Sequence, residues 1–124
     1  MPESALAGRR VLVVEDEYFI AEDLDSSLKA AGAVVLGPVP SVEAALAMLN
    51  CEPAPDTAVL DVNLGGEMAH PVADALISRG VPFLFTTGYD PSSLLERHLS
   101  VGRLEKPVET SRILRELERL LVAA

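Results

Sequence analysis

The most constraining feature of this chain is a repeated alternation between short, uninterrupted apolar runs and longer stretches with helical spacing. The runs are Val11-Leu12-Val13-Val14, Val34-Val35-Leu36, Ala58-Val59-Leu60, Pro82-Phe83-Leu84-Phe85 and a weaker one near Val101-Gly102-Arg103-Leu104. They are rich in β-branched and aromatic residues and do not alternate with polar ones. Strands with this pattern lie inside a parallel sheet that is covered on both faces. The intervening stretches carry apolar residues three and four apart: Ile20, Leu24 and Leu28; Val42, Ala45, Leu46 and Leu49; Val72 with Leu76 and Ala73 with Ile77; and Ile113, Leu114, Leu117, Leu120 and Leu121. Gly32 and Gly80 stand where the first and third helices stop. Ser41 and Asp90 suit N-caps, and Pro91 suits the first position of a short, weakly patterned helix near 91–98.

Five strand–helix repeats need a crossover between every parallel pair. The chain is therefore expected to form a (βα)5 α/β domain, a doubly wound parallel five-stranded sheet of flavodoxin-like order 2-1-3-4-5 with right-handed crossovers. Its 124 residues suit a single domain, with residues 1–8 read as a flexible N-terminal tail and 9–124 as the folded unit. Apolar residues make up 49% and charged residues 23%, an ordinary globular balance. No apolar run approaches the ~20 residues of a membrane span, and the first residues do not resemble a secretion signal. Cys51 is the lone cysteine, which excludes an internal disulfide and fits a reducing cytoplasm. The net charge of -9 disfavours direct binding to a nucleic-acid backbone and favours a small cation or a partner with a basic face.

In open sheets of this kind ligands bind beyond the carboxyl ends of the strands. The first run is followed by Glu15-Asp16-Glu17, the third by Asp61, the fourth by Thr86-Thr87-Gly88 and the fifth by Lys106-Pro107. Each of these residues alone is ordinarily a helix cap or a solvated loop residue. Together they bring carboxylates, a hydroxyl and an ammonium to one rim. Two carboxylates about 4 Å apart repel by about 4 kcal/mol at an effective dielectric near ~20, so a cation belongs between Asp16 and Asp61. An all-oxygen set without His or Cys suits magnesium or calcium, and its sparseness suits magnesium better. A carboxylate beside such an ion can attack a phosphoryl group. Lys106 and a threonine hydroxyl, Thr87 or else Thr86, can stabilise the phosphoryl oxygens.

These residues resemble the receiver domains of bacterial two-component response regulators. The stretches Val11-Leu12-Val13-Val14-Glu15-Asp16-Glu17, Ala58-Val59-Leu60-Asp61-Val62-Asn63-Leu64, Thr87-Gly88 and Lys106-Pro107 are the family's motifs in order, and the resemblance spans about residues 9 to 122. The strand order above is the family's own, so it follows from the resemblance as much as from the handedness rule. The resemblance implies that Asp61 accepts a phosphoryl group and that Asp16 and Asp61 ligate Mg2+. It further implies that Asn63 adds its backbone carbonyl and Glu15 acts through water. Thr87 is then the switch hydroxyl and Lys106 pairs with the phosphate across a cis Lys106–Pro107 bond. Asn63 and Tyr89, two residues beyond the acceptor and the threonine, tune hydrolysis. Such a domain catalyses only its own phosphorylation and dephosphorylation, with a sensor histidine kinase or phosphohistidine carrier as donor.

The chain departs from the common pattern in one place. Arg103 occupies the position, three before the lysine, where many receivers carry a switch aromatic. The stretch Pro82 to Tyr89 approximates the Phe-Ala-Thr-Gly-hydrophobic-Tyr motif of a subgroup served by kinases of the HWE or related classes, which makes Tyr89 the candidate replacement for the aromatic. The chain ends at Ala124 after the last helix, so output is expected through an unknown partner or by relay of the phosphoryl group. In the last helix Arg112, Arg115 and Arg119 interleave with Glu116 and Glu118, either as a solvated face or as a partner surface. His70 and His98 are expected to be neither ligands nor phosphohistidines. A degenerate receiver that only docks proteins is the competing reading, and the complete set of acids, Thr and Lys argues against it. A flavin-binding role is opposed by the acidic residues after the first strand, which would repel a phosphate. A dehalogenase-type phosphatase would need its nucleophile there instead of after the third.

Overall fold

A computed structural model describes residues 4–51, 53–88 and 95–123. Its elements in chain order are β1 (Arg10–Val14), α1 (Tyr18–Ala30), β2 (Val34–Val39), α2 (Val42–Leu49), β3 (Thr57–Asp61), β4 (Asn63–Leu64), β5 (Glu67–Met68), α3 (His70–Ser78), β6 (Phe83–Thr87), β7 (Arg103–Glu105) and α4 (Thr110–Ala123). The main sheet has the order β2-β1-β3-β6-β7 with every pair parallel, which is the expected 2-1-3-4-5 arrangement of its five strands.

The pleat explains why the strand sequences do not alternate. In β1, Leu12 and Val14 pack with Val42, Ala45 and Leu49 of α2 and Val72, Ala73 and Leu76 of α3. Val11 and Val13 turn to the opposite layer, with Leu24 and Leu28 of α1 and Ile113, Leu117 and Leu121 of α4. Both faces are covered, so both sets of side chains are apolar. Removing each Val, Leu or Ile from water contributes about 1.5–3 kcal/mol. Ser41 caps α2 as expected, its side chain accepting from Ala44 N at 3.1 Å. The Glu67 carboxylate adds a second bond to the same helix end, accepting from Val42 N at 3.2 Å.

Several expectations change. Residues 4–8 are not a loose tail. Leu6 is 0% exposed and sits in the α1/α4 layer, Ser4 Oγ donates to Glu118 Oε2 at 3.0 Å, and Gly8 N donates to Gly32 O at 2.8 Å. A single leucine among small residues has no periodicity to announce it, so only the tertiary packing reveals it. β2 runs three residues past Leu36 through a register shift against β1. Gly37 makes this possible: its φ is +94°, and a Cβ there would lie 2.7 Å from Val39 N. Asn63–Leu64 and Glu67–Met68 form a small antiparallel hairpin around Gly65-Gly66. Ile77, read as part of a buried stripe, is exposed. Of the expected helix near 91–98, residues 91–94 lie outside the described residues, and Glu96–His98 form one 3-10 turn. Tyr89, Asp90 and Pro91 also lie outside the described residues.

Candidate active site

Topology brings the strand ends together. β1 and β3 are adjacent with Val14 opposite Leu60, so Glu15 follows at the level of Asp61. β3 and β6 pair Asp61 with Thr86. β6 and β7 pair Thr87 with Glu105, and Lys106 N donates to Thr87 O at 2.7 Å. This bond ties the lysine to the end of β6, and the Lys106–Pro107 peptide is cis.

The side chains converge accordingly. Lys106 Nζ donates to Asp61 Oδ2 at 2.8 Å and to Glu15 Oε1 and Oε2 at 3.0 and 3.3 Å, and it lies 3.6 Å from Glu17 Oε1. Asp61 Oδ1 accepts from Asn63 N at 3.1 Å. One carboxylate oxygen from each of Glu15, Asp16 and Asp61 lies within 4.8 Å of the others. Glu15 and Asp61 are buried, whereas Asp16 is exposed at the mouth. Thus one ammonium faces a crowd of carboxylates. Burial first, and repulsion by Asp61 second, push the Glu15 carboxyl up from 4.5 to about 7, against the opposing pull of Lys106. For Lys106, burial works against the charged form, but its hydrogen bonds to Asp61 and Glu15 outweigh that and hold the ammonium above its ordinary range.

The donor chemistry fits a hard divalent cation. The cluster offers only oxygen ligands, and the carboxylates of Glu15, Asp16, Glu17 and Asp61 outnumber the one ammonium of Lys106 among them. Gly65 keeps the mouth clear: with φ at +64°, a Cβ there would stand 3.3 Å from Asp16 Oδ2.

Thr86 and Thr87 are both buried at the end of β6. Thr86, opposite Asp61 in the ladder, also lines a groove with Glu17, Phe19, Ile20 and Lys106, while Thr87 stands one residue nearer the rim. The Asn63 side chain is bound within its own turn, Oδ1 accepting from Gly66 N at 2.7 Å. Glu17 was given no role from sequence, yet it flanks Lys106; its membership of the acidic triplet after β1 was the available signal. The described residues do not include Tyr89, so the structure does not place it.

No protein-family model matches the chain, and no curated protein matches it. Among solved structures, the solution structure of SdrG from Sphingomonas melonis Fr1 is 39% identical and covers 95% of this chain and 98% of its own, with a TM-score of 0.77. The BeF3-activated conformation of SdrG from Pseudomonas melonis Fr1 is likewise 39% identical, covers 93% and 98%, and has a TM-score of 0.74. A response regulator receiver protein from Sinorhizobium medicae WSM419 is 25% identical, covers 94% and 96%, and has a TM-score of 0.78. A doubly wound sheet with an acidic cluster and a lysine on its carboxyl rim defines the phosphorylation switches. The chain belongs to the bacterial response-regulator receiver family. Its chemistry is accordingly phosphorylation and dephosphorylation of itself, and a histidine kinase is the partner class that goes with that membership. Among the described residues no helix is long and apolar enough to cross a membrane.

Proposed function

We propose that Asp61 is the phosphoryl acceptor of this receiver and that Asp16, Asp61, the Asn63 carbonyl and, through water, Glu15 would hold Mg2+ beside it. The observation that carries this reading is the buried Asp61 carboxylate, bound to Lys106 at 2.8 Å within a cluster of acids that offers cation ligands. An Asp61 oxygen forms the new P–O bond as the P–N bond of a phosphohistidine breaks and its electron pair leaves on the imidazole nitrogen. Lys106 moves from balancing Asp61 to balancing the phosphoryl oxygens. Bound Mg2+ neutralises charge on those same oxygens. The beryllofluoride-activated conformation of SdrG supports an analogous occupant here.

Thr87 serves as the switch hydroxyl in this reading, because its carbonyl is joined to Lys106 N and it stands beyond Asp61 on the rim. One hydrogen bond to a charged group contributes about 1.5–3 kcal/mol. Moving a population from 1:99 to 99:1 needs about 5.5 kcal/mol, so Lys106 and packing of the β6 loop supply the remainder. The sequence from Pro82 to Tyr89 supports an HWE-type kinase as donor; in this reading the domain acts in the cytoplasm, with output through a protein partner or onward relay.

The test is phosphorylation by acetyl phosphate or phosphoramidate with Mg2+, followed by intact mass. Wild type gains one phosphoryl group and Asp61→Ala gains none. Thr87→Ala still accepts phosphate but loses the conformational response, while Thr86→Ala keeps it. A wild type that stays unmodified with both donors would make the chain a docking module only.

A further inference from the structure

The start of α2 is fastened twice, and the two fastenings come from different places. Ser41, the residue before the helix, accepts from Ala44 N at 3.1 Å, as a local cap does. Val42 N donates instead to Glu67 Oε1 at 3.2 Å, and Glu67 lies 25 positions further along the chain, on β5. A helix start leaves backbone N–H groups without partners and carries partial positive charge, so a carboxylate is held well there. The second bond differs from the first in what it connects: it leaves the helix and reaches the segment that follows the acceptor strand.

That segment carries Asn63. β4 and β5 form a hairpin of two residues a side, with Asn63 opposite Met68 and Leu64 opposite Glu67. Gly65 and Gly66 make its turn, with φ of +64° and +98°. So short a hairpin does not hold its shape unaided. Its base is fixed by Asn63 N, which donates to Asp61 Oδ1 at 3.1 Å, and by Ala69 N, which donates to Val62 O at 2.8 Å. Leu64 is buried, and Met68 packs against the same core layer. Among the described residues, the bond from Val42 N to Glu67 is the one hydrogen bond that joins this hairpin to a helix. Glu67 is exposed, so its side chain contributes through this bond and not through packing. The peptide between Asn63 and Leu64 lies against Glu67 and Met68 in the ladder, so a shift of β5 moves the Asn63 carbonyl with it.

We infer that Glu67 is a positioning residue for the metal site: by holding β5 to α2 it fixes the Asn63 carbonyl, and it couples occupancy of the site to the first turn of α2. The inference rests on the reading that Asn63 ligates Mg2+ through that carbonyl. Such a coupling is reciprocal, so Mg2+ must also be felt at Val42, which is not among the residues assigned to the metal.

The test is a titration of the intact chain with Mg2+, read by calorimetry and by amide shifts. In wild type, binding is expected to saturate, and the Val42 amide to shift together with those around Asp61. Glu67→Ala is expected to weaken Mg2+ binding about fivefold, less than the roughly 10–100-fold that follows loss of a group directly supporting a ligand, and to abolish the Val42 shift. Glu67→Gln keeps an acceptor oxygen and is expected to stay within about twofold of wild type. Ser41→Ala removes the local cap of the same helix; it is expected to lower the Tm and leave Mg2+ affinity unchanged. Binding by Glu67→Gln as weak as that of Glu67→Ala would overturn the inference, because loss of one negative charge would explain both. So would equal weakening in Ser41→Ala, because fraying of α2 would then be enough. Saturable binding by wild type that Glu67→Ala matches would overturn the inference alone, whereas a wild type that never saturates would overturn the metal reading on which it stands.

Discussion

Two carboxylate clusters in this protein use similar ingredients with opposite outcomes. At the rim, Lys106 is outnumbered by Glu15, Glu17 and Asp61 around it, with Asp16 beside them. At the other cluster, the single carboxylate of Asp74 in α3 is surrounded by bases. Arg97 donates to it twice, at 3.0 and 2.7 Å, and Nε2 of the fully buried His98 lies 2.7 Å from Oδ1. The Arg97 hydrogen bonds, with His98 second, hold the Asp74 carboxyl well below the usual carboxylate range. The Glu15 carboxyl is pushed the other way, to about 7. The lesson concerns balance. A carboxylate matched by cations is a fastening, here joining α3 to the turn at Glu96–His98. Carboxylates in excess of cations repel one another, and that repulsion is relieved by a cation that enters.

The comparison can be broken at several points. The largest effect should come from Asp61→Ala, which is expected to reduce phosphoryl acceptance by orders of magnitude, while Asp74→Asn leaves it unchanged in the same mass assay. Equal loss in both would erase the distinction between the clusters. Next comes cation binding. Saturating Mg2+, at about 100 times its dissociation constant, should stabilise wild type by about 2.7 kcal/mol, visible as a raised Tm. Asp16→Asn should lose most of that shift, and an undiminished shift would place the metal elsewhere.

The pH dependence sharpens the contrast because the two signs differ. Glu15 has a raised carboxyl in the folded state, so its contribution is fully present below about 4.5 and is lost as pH rises through about 7. Metal-free wild type should therefore weaken across that window. Glu15→Gln should not weaken there, and at pH ~8 it should be more stable by about 1–3 kcal/mol, since each pKa unit corresponds to about 1.4 kcal/mol. Urea unfolding at the two pH values decides it; a variant less stable than wild type at the higher pH would contradict the account. Asp74 is the reverse case. Its contribution is present above about 3.8 and is lost as pH falls through the depressed folded value. Because Asp74 is partly exposed, Asp74→Asn should cost at most about 1 kcal/mol near neutrality. That difference should shrink with added salt and vanish in acid, as thermal melts can show.

Much of this could be read along the chain because local spacing carries it. Leu24 with Leu28, and Ile113 with Leu117, mark helices whether or not their partners are known, and the acids after β1 and β3 follow directly on apolar runs. The readings that failed depend on contacts distant in sequence. Leu6 is buried because of α1 and α4, not because of its neighbours. Ile77 has the helical spacing of Ala73 but lies on the outer side of α3. The apolar run of β2 ends at Leu36, but its pairing with β1 continues to Val39. The match of His98 to Asp74 could not be foreseen across 24 positions.

By itself the sequence determined the strand–helix order and the residue types delivered to each strand end, since both follow from short-range periodicity and from where each run stops. Only the tertiary structure decided that Lys106 meets Asp61 and Glu15, separated from it by 45 and 91 positions, at 2.8 and 3.0 Å. The physical reason is that the parallel register of β1, β3, β6 and β7 sets which strand ends are level, and register is a property of the assembled sheet.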